Sequence, residues 1–265
     1  MPTAYVNQLQ LYYESHGSGP PLILINGLGS STATWDTALV EGLSRHHQTI
    51  VFDNRGTGRS DKPDNPYTIS HFAQDVGGLL DVLGIARAHV LGASMGGMIA
   101  QQFALDHPQR IERLVLCCTT AGGPEATPPS METLEAIANV DAWSPREMLR
   151  RNRRLAFLPE FIRANESYLD TKLDREVVFP TPLTSLAHHA TAAFTFNVYD
   201  RLQEIEHRTL VMVGREDLMV PMPNSVLLAR RIPNADLLIF ANAGHGFITE
   251  KTAACVKAIC RFLAD

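Results

Sequence analysis

Apolar and polar positions along the chain follow two periods, and the switches between them mark out the elements. "AYVNQLQLYYESHGSG" alternates and then meets two glycines, which predicts a pair of antiparallel strands at a sheet edge. "PLILING" is a continuous apolar run closed by glycine, the pattern of a strand buried on both faces. A helical stretch follows near residues 33–44, then a strand and loop in "QTIVFDNRG". "ISHFAQDVGGLLDVLGI" carries apolar residues at helical spacing and stops at Gly84. "HVLGAS" reads as a strand, "MGGMIAQQFALDH" as a helix and "RLVLCCTT" as a strand. "TLVMVG" and "DLLIFANAG" are two further strands, and "TAACVKAICRFLA" is a closing helix. Strands alternating with helices predict an α/β fold: a mostly parallel central sheet with helices on both faces. Chemistry in such sheets collects in the loops at the carboxyl ends of the strands. "NGLGSS", "DNRGTG", Ser94, "GREDLMVP" and "AGHGF" all fall in such loops.

The alternation breaks between about Thr119 and Arg208. "GGPEATPPS" has linker composition. Beyond it Ser144, Pro145 and Glu147 read as an N-cap, a first-turn proline and the acidic member of a capping box. This predicts a core domain from residues 1–121 and 206–265, interrupted by a helical cap insertion over 122–205 that covers the carboxyl edge of the sheet. Phe157, Phe161, Phe179, Phe194 and Phe196 fit either an apolar pocket wall or the insertion's own core.

Bulk properties narrow the function classes. A chain of 265 residues suits one large α/β domain with an insertion. Apolar (45%) and charged (19%) fractions are those of an ordinary soluble globular protein. A net charge of −5 argues against nucleic-acid and membrane-surface partners. The start "MPTAYVNQLQLYY" has neither a basic nor an apolar leader segment, and no apolar run approaches the roughly 18 residues of a membrane span. The expectation is a cytoplasmic protein. Cys117, Cys118, Cys255 and Cys260 show no metal-ligand spacing and read as reduced core residues, so no metal or cofactor is expected.

"LGASMGGM" carries the sharpest chemical signal. Gly92-Ala93-Ser94-Met95-Gly96 fits G-x-S-x-G, and it lies between a predicted strand and a predicted helix, as a nucleophile elbow requires. A serine hydroxyl needs a base and an orienting acid. In the chain order serine, acid, histidine, Asp217 follows "TLVMVG" and His245 lies in "ANAGHGF", both in loops after predicted strands. Glu216 is a rival acid, and Asp217 could instead cap a helix. The other histidines lack this loop context; His188 and His189, in the insertion, read as surface or pocket residues. Candidate oxyanion donors are the backbone N–H of Met95 and that of Leu28 in Asn26-Gly27-Leu28-Gly29.

These residues resemble the α/β-hydrolase superfamily over nearly the whole chain. "FDNRGTGRSDKP" is similar to its D-x-R-G-x-G-x-S-x-x-P loop, and "LGASMGGMIAQQFA" and "GREDLMVP" match as well. "YTISHFAQDVGGLLDVLGIARAHVLGASMGGMIAQ" resembles the 3-oxoadipate enol-lactonase-like group and related bacterial carboxylesterases. The resemblance implies a serine hydrolase of a small-molecule ester or lactone, with an acyl-enzyme on Ser94 and no cofactor. Serine at 94 argues against the members that use an aspartate nucleophile, the epoxide hydrolases and haloalkane dehalogenases. C–C bond hydrolases and cofactor-free perhydrolases or haloperoxidases keep the serine and stay open. A hydrolase-fold receptor without turnover is the alternative of a different class. Two departures stand out: Asn26 where many members have histidine, and Arg208 where many have proline. The basic run "RRNRR", residues 150–154, could attract an acidic substrate, but its arginines spread around more than half of a helix. A solvated helix face and a neutral substrate are therefore expected.

Overall fold

The computed structural model describes residues 2–138 and 144–264, so residues 139–143 of the expected insertion lie outside the described residues. The chain forms strands β1 (Thr3–Val6), β2 (Leu9–His16) and β3 (Pro21–Ile25), helix α1 (Thr37–Ser44), β4 (Gln48–Phe52), α2 (Ile69–Val82), β5 (Ala88–Ala93), α3 (Met95–Asp106) and β6 (Ile111–Cys117). Among the described residues five α-helices follow: α4 (Met131–Ala138), α5 (Pro145–Ala156), α6 (Pro159–Ala164), α7 (Glu166–Glu176) and α8 (Leu183–Phe194). The alternation then resumes with β7 (Thr209–Gly214), α9 (Pro223–Arg231), β8 (Ala235–Phe240), the short α10 (Phe247–Glu250) and α11 (Thr252–Ala264).

The strands make one eight-stranded sheet in the order β1-β2-β4-β3-β5-β6-β7-β8. β1 and β2 pair antiparallel, β2 joins β4 antiparallel, and every other pairing is parallel. The continuous apolar runs became the central strands: β7 is buried along its whole length, while β8, at the edge, is half-buried. Each face of the sheet has its own apolar layer. One joins Ile23, Ile50, Val90 and Leu116 to Phe72, Val76, Ile99 and Phe103 of α2 and α3. The other joins Leu24, Val51, Leu91 and Val115 to Leu39 and Leu43 of α1 and Ile259 and Leu263 of α11. Alternating side chains of the same strands feed both layers, as the period of two requires.

Local signals set the helix ends. The Thr68 hydroxyl accepts the His71 N–H at the start of α2, and Gly84, at φ +68°, follows its last turn. Ser144 and Glu147 form the reciprocal capping box expected at α5. A buried bidentate pair, Arg55 Nε and Nη2 on the Asp75 carboxylate at 2.6 and 2.7 Å, ties the loop after β4 to α2. Removing either partner would strand a buried charge, at a cost of about 3–5 kcal/mol.

Cys117 is the last residue of β6, and Cys118 leaves the strand at φ +42°, so the strand alternation stops between them and both thiols lie in the same apolar layer. The five phenylalanines make neither a single wall nor a single core. Phe196 joins the layer under α2 and α3, Phe157 lies against Phe161 with its ring tilted, Phe179 lies beneath the Arg59 guanidinium, and Phe194 is 78% exposed. No helix among the described residues is long and apolar enough to cross a membrane.

Candidate active site

Ser94 sits between β5 and α3 at φ +56°, ψ −123°, a backbone conformation that costs a non-glycine residue about 1–3 kcal/mol. The neighbouring glycines are explained by close approach. A Cβ on Gly92 would lie 2.2 Å from the Gly96 carbonyl oxygen, and one on Gly96 would lie 2.1 Å from that of Ile25. Strand, turn and helix therefore stack backbone on backbone, and any side chain there would force them apart. Ser94 itself is anchored at both ends: its N–H donates to Cys117 O at 2.9 Å, and its carbonyl accepts from Thr119 Oγ1 at 2.8 Å.

The three candidate residues follow the carboxyl ends of β5, β7 and β8, so the parallel topology places them along one edge of the sheet. Asp217 is 5% exposed, and its carboxylate is fully occupied. Oδ1 accepts the N–H groups of Met219 (2.9 Å) and Val220 (2.8 Å), and Oδ2 faces His245 Nδ1 at 2.8 Å. Asp217 thus caps its own turn with one oxygen and holds the imidazole with the other. Glu216 points elsewhere, accepting the Ala243 N–H at 3.0 Å. Because an ionised carboxylate only accepts, the proton lies on His245 Nδ1 and Nε2 keeps its lone pair.

The loop after β3 lies against the serine. A Cβ on Gly27 would come within 3.1 Å of Ser94 Cβ. Ser30 N–H donates to Gly27 O at 3.2 Å, closing a turn with Gly29 at φ +67°; glycine at that position suits a type II turn. In a trans peptide the Leu28 N–H points away from the Gly27 carbonyl, so fixing one fixes the other. Met95 is the first residue of α3, and its N–H has no intrahelical acceptor. Asn26 bridges the loop: its side-chain Nδ2 donates to Ser31 O at 2.9 Å, and its backbone carbonyl accepts from Asn54 Nδ2 at 3.1 Å.

One group of metal-capable side chains exists among the described residues. A ligand atom from each of Cys118, Asp217 and His245 lies within 4.8 Å of the others. Burial pushes the Cys118 thiol well above its ordinary range, and the Asp217 charge adds to this, so it stays protonated and a poor ligand. The Asp217 oxygens are already spent on three donors.

Two residues to which the sequence pattern gave no part in the site, Glu250 and His189, touch this region. The Glu250 carboxylate accepts the N–H of Gly244 and that of Leu158, both at 2.7 Å, and Gly246 N–H donates to Ala156 O, also at 2.7 Å, so the loop carrying His245 is stitched to the end of α5. Burial raises the Glu250 pKa above its ordinary value. His189 is completely buried, not a surface or pocket residue, because α8 drives it between Tyr67 and Phe72. Its signal in the sequence was only one histidine among ten.

Comparison with known proteins agrees with the architecture. Residues 20–252 match the profile of the alpha/beta hydrolase fold family. A Caulobacter vibrioides protein assigned as the carbamate hydrolase RutD is 32% identical over 259 residues, 96% of this chain and 95% of that one. The poly(3-hydroxyalkanoate) depolymerase of Ectopseudomonas oleovorans is 31% identical over 246 residues, 92% of this chain and 84% of that one. The crystal structure of the enol-lactonase from Burkholderia xenovorans LB400 superposes with a TM-score of 0.89 over all of both chains at 29% identity.

Proposed function

The chain belongs to the α/β-hydrolase family, and from that premise we propose that it is a serine hydrolase cleaving a carboxylic ester or lactone of a small, neutral, apolar substrate. The buried 2.8 Å contact between Asp217 and His245 Nδ1 carries this reading. It holds the imidazole in the tautomer whose Nε2 can take a hydroxyl proton, and a merely structural turn has no need of that.

The steps follow from the donors and acceptors. Ser94 Oγ attacks the carbonyl carbon while its proton passes to His245 Nε2. Charge on the carbonyl oxygen is met by the N–H groups of Leu28 and Met95. Asp217 stays ionised and stabilises the imidazolium. The tetrahedral adduct collapses, the C–O bond to the alcohol breaks, and His245 returns the proton to the leaving oxygen. In a lactone that oxygen stays tethered to the acyl chain. A water, deprotonated by His245, then attacks the ester carbonyl on Ser94; the bond to Oγ breaks, His245 returns the proton to Oγ, and the acid leaves.

In this reading residues 1–121 and 206–265 form the core domain, and 122–205 form a helical cap that shapes the acyl pocket. The basic run supports a neutral substrate. Arg153 and Arg150 turn to Asp170 of α7 at 2.8 and 3.6 Å, and neighbouring Arg146 pairs with Asp174. These guanidinium groups join α5 to α7 instead of waiting for a ligand.

A second reading, carbamate cleavage, is favoured by the 32% identity to the RutD protein. It would use the same nucleophile and donors. The two separate on a matched panel of ester, lactone and carbamate with the same acyl substituent. Ester or lactone should lead the carbamate in kcat/KM by at least about tenfold, and Ser94→Ala should lower kcat by about 10³-fold or more with the fold intact. A labelled phosphonate should attach at Ser94. Near-wild-type turnover by Ser94→Ala would sink the mechanism. A tenfold preference for an ester bearing a distal carboxylate would sink the neutral-substrate assignment.

A further inference from the structure

We propose that His189, on α8, is a positioning residue for the oxyanion loop: it grips the Leu28–Gly29 peptide and so holds in place the turn that carries the Leu28 N–H. The inference rests on the reading that Leu28 is an oxyanion donor.

His189 Nδ1 accepts the Gly29 N–H at 3.2 Å, and Nε2 lies 2.8 Å from Arg55 O. A carbonyl oxygen only accepts and an N–H only donates, so both contacts demand one form of the ring: neutral, with its proton on Nε2. Protonation would set a second N–H against that of Gly29. The surroundings keep the ring neutral. It is 0% exposed, with ring centroids of Phe72 and Tyr67 at 4.9 and 5.7 Å. Burial lowers its pKa to about 4, the contact on Arg55 O opposes this, and the neighbouring His188 and Arg55 side chains add to the lowering.

Gly29 is held on its other sides by the same stretch of chain. Thr181 Oγ1 donates to Gly29 O at 2.8 Å, and Leu186 covers the α-carbon so closely that a Cβ there would lie 2.3 Å from Leu186 Cδ2. Gly29 is the third residue of the turn closed by Ser30 N–H on Gly27 O. The two common turn types differ by a flip of the peptide between the second and third residues, here Leu28 and Gly29. His189 accepts the N–H of that very peptide. It therefore selects the turn with Gly29 at φ +67° and opposes a flip of the Leu28–Gly29 peptide, while the Ser30 N–H on Gly27 O holds the adjoining Gly27–Leu28 peptide that presents the Leu28 N–H. Its second contact, on Arg55 O, ties the same ring to the loop after β4, which the Arg55–Asp75 pair fixes to α2. The insertion thus acts on the chemistry as well as on substrate fit.

His189→Asn, His189→Gln and His189→Phe separate this role from simple packing. An asparagine oxygen can stand where Nδ1 stands and keep the acceptor for Gly29; a glutamine amide reaches instead to the Nε2 position; phenylalanine keeps only the shape. The measurements are kcat and KM on the preferred ester, the affinity of a trifluoromethyl ketone that mimics the tetrahedral adduct, and Tm. We expect Gln and Phe to lose up to about 10²-fold in kcat with KM little changed, ketone affinity to fall in parallel, and Asn to stay within about threefold of wild type. A folded Phe variant within about threefold of wild type in kcat would overturn the proposal. Should Phe not fold, Asn falling as far as Gln would overturn it equally. Ser94→Ala, run alongside, tells the two levels apart. If it stays active the serine mechanism itself fails. If it is dead while all three His189 variants are normal, only the positioning role fails.

Discussion

Replacing Asp217 with asparagine tests the acid assignment with almost no change in shape. The structure dictates which way the new amide faces. Oδ1 of Asp217 receives two backbone N–H groups, from Met219 and Val220. The amide oxygen must take that side, because an NH₂ group there would oppose both donors. At about 1–3 kcal/mol for each unsatisfied group, the flipped amide is disfavoured by at least about 2 kcal/mol, or roughly 30-fold. The NH₂ group therefore points at His245 Nδ1, which must become the acceptor, and the ring proton moves to Nε2. That tautomer cannot accept the Ser94 proton. Loss of the correct tautomer in the trypsin-like triad costs about 10⁴ in kcat, which corresponds to about 5.4 kcal/mol of barrier. A loss of that order is expected here. Glu216→Gln removes a charge one residue away from a contact with Ala243 N–H that an amide oxygen also satisfies, so kcat should stay within about threefold. The assay is steady-state ester hydrolysis by both variants, with thermal melts to show that each is folded. The reasoning is refuted if Asp217→Asn keeps a tenth of wild-type kcat, or if Glu216→Gln is the more damaging change.

Gly96→Ala should lower stability by about 1–3 kcal/mol, because its Cβ would meet the backbone oxygens of Ile25 and Asn26 at 2.1 and 2.7 Å; an unchanged Tm would show that strand and helix can separate freely. His89 is held neutral by burial, with its pKa lowered to about 4 from 6.5, so between those values the unfolded chain binds a proton that the folded chain does not, and stability is lost as pH falls. Urea melts at pH 7 and pH 4.5 should show His89→Phe losing about 2 kcal/mol less than wild type over that interval, and an equal loss would exclude the histidine as a cause. Dialysis against a chelator should leave kcat unchanged; a loss reversed by Zn²⁺ would instead put a metal at Cys118, Asp217 and His245.

Much of the candidate site was legible because its signals are local. A strained serine between a buried strand and a helix needs small neighbours within two residues on either side, so the elbow writes itself into one short segment. Asp217 and His245 each follow an apolar run, and parallel topology puts the ends of such runs on one edge. The choice between Asp217 and Glu216 was only half legible. Adjacent residues leave the chain in different directions, and only the folded loop shows which of them faces the imidazole.

By itself, then, the sequence determined the alternation of strands and helices, the end of α2 at Gly84, the capping of α5, and the loops in which the candidate residues sit, since all of these depend on periods and spacings within a dozen residues. Tertiary structure alone decided the rest. His189 meets Gly29 across 160 positions of chain, and Leu158 meets Glu250 across 92. The arginines of α5 turn to the acids of α7, and the five phenylalanines scatter to four different surroundings. No local period encodes such partners. Which histidine becomes a buried acceptor depends on where the insertion lands on the sheet, and desolvation and hydrogen-bond pairing act only once it has landed.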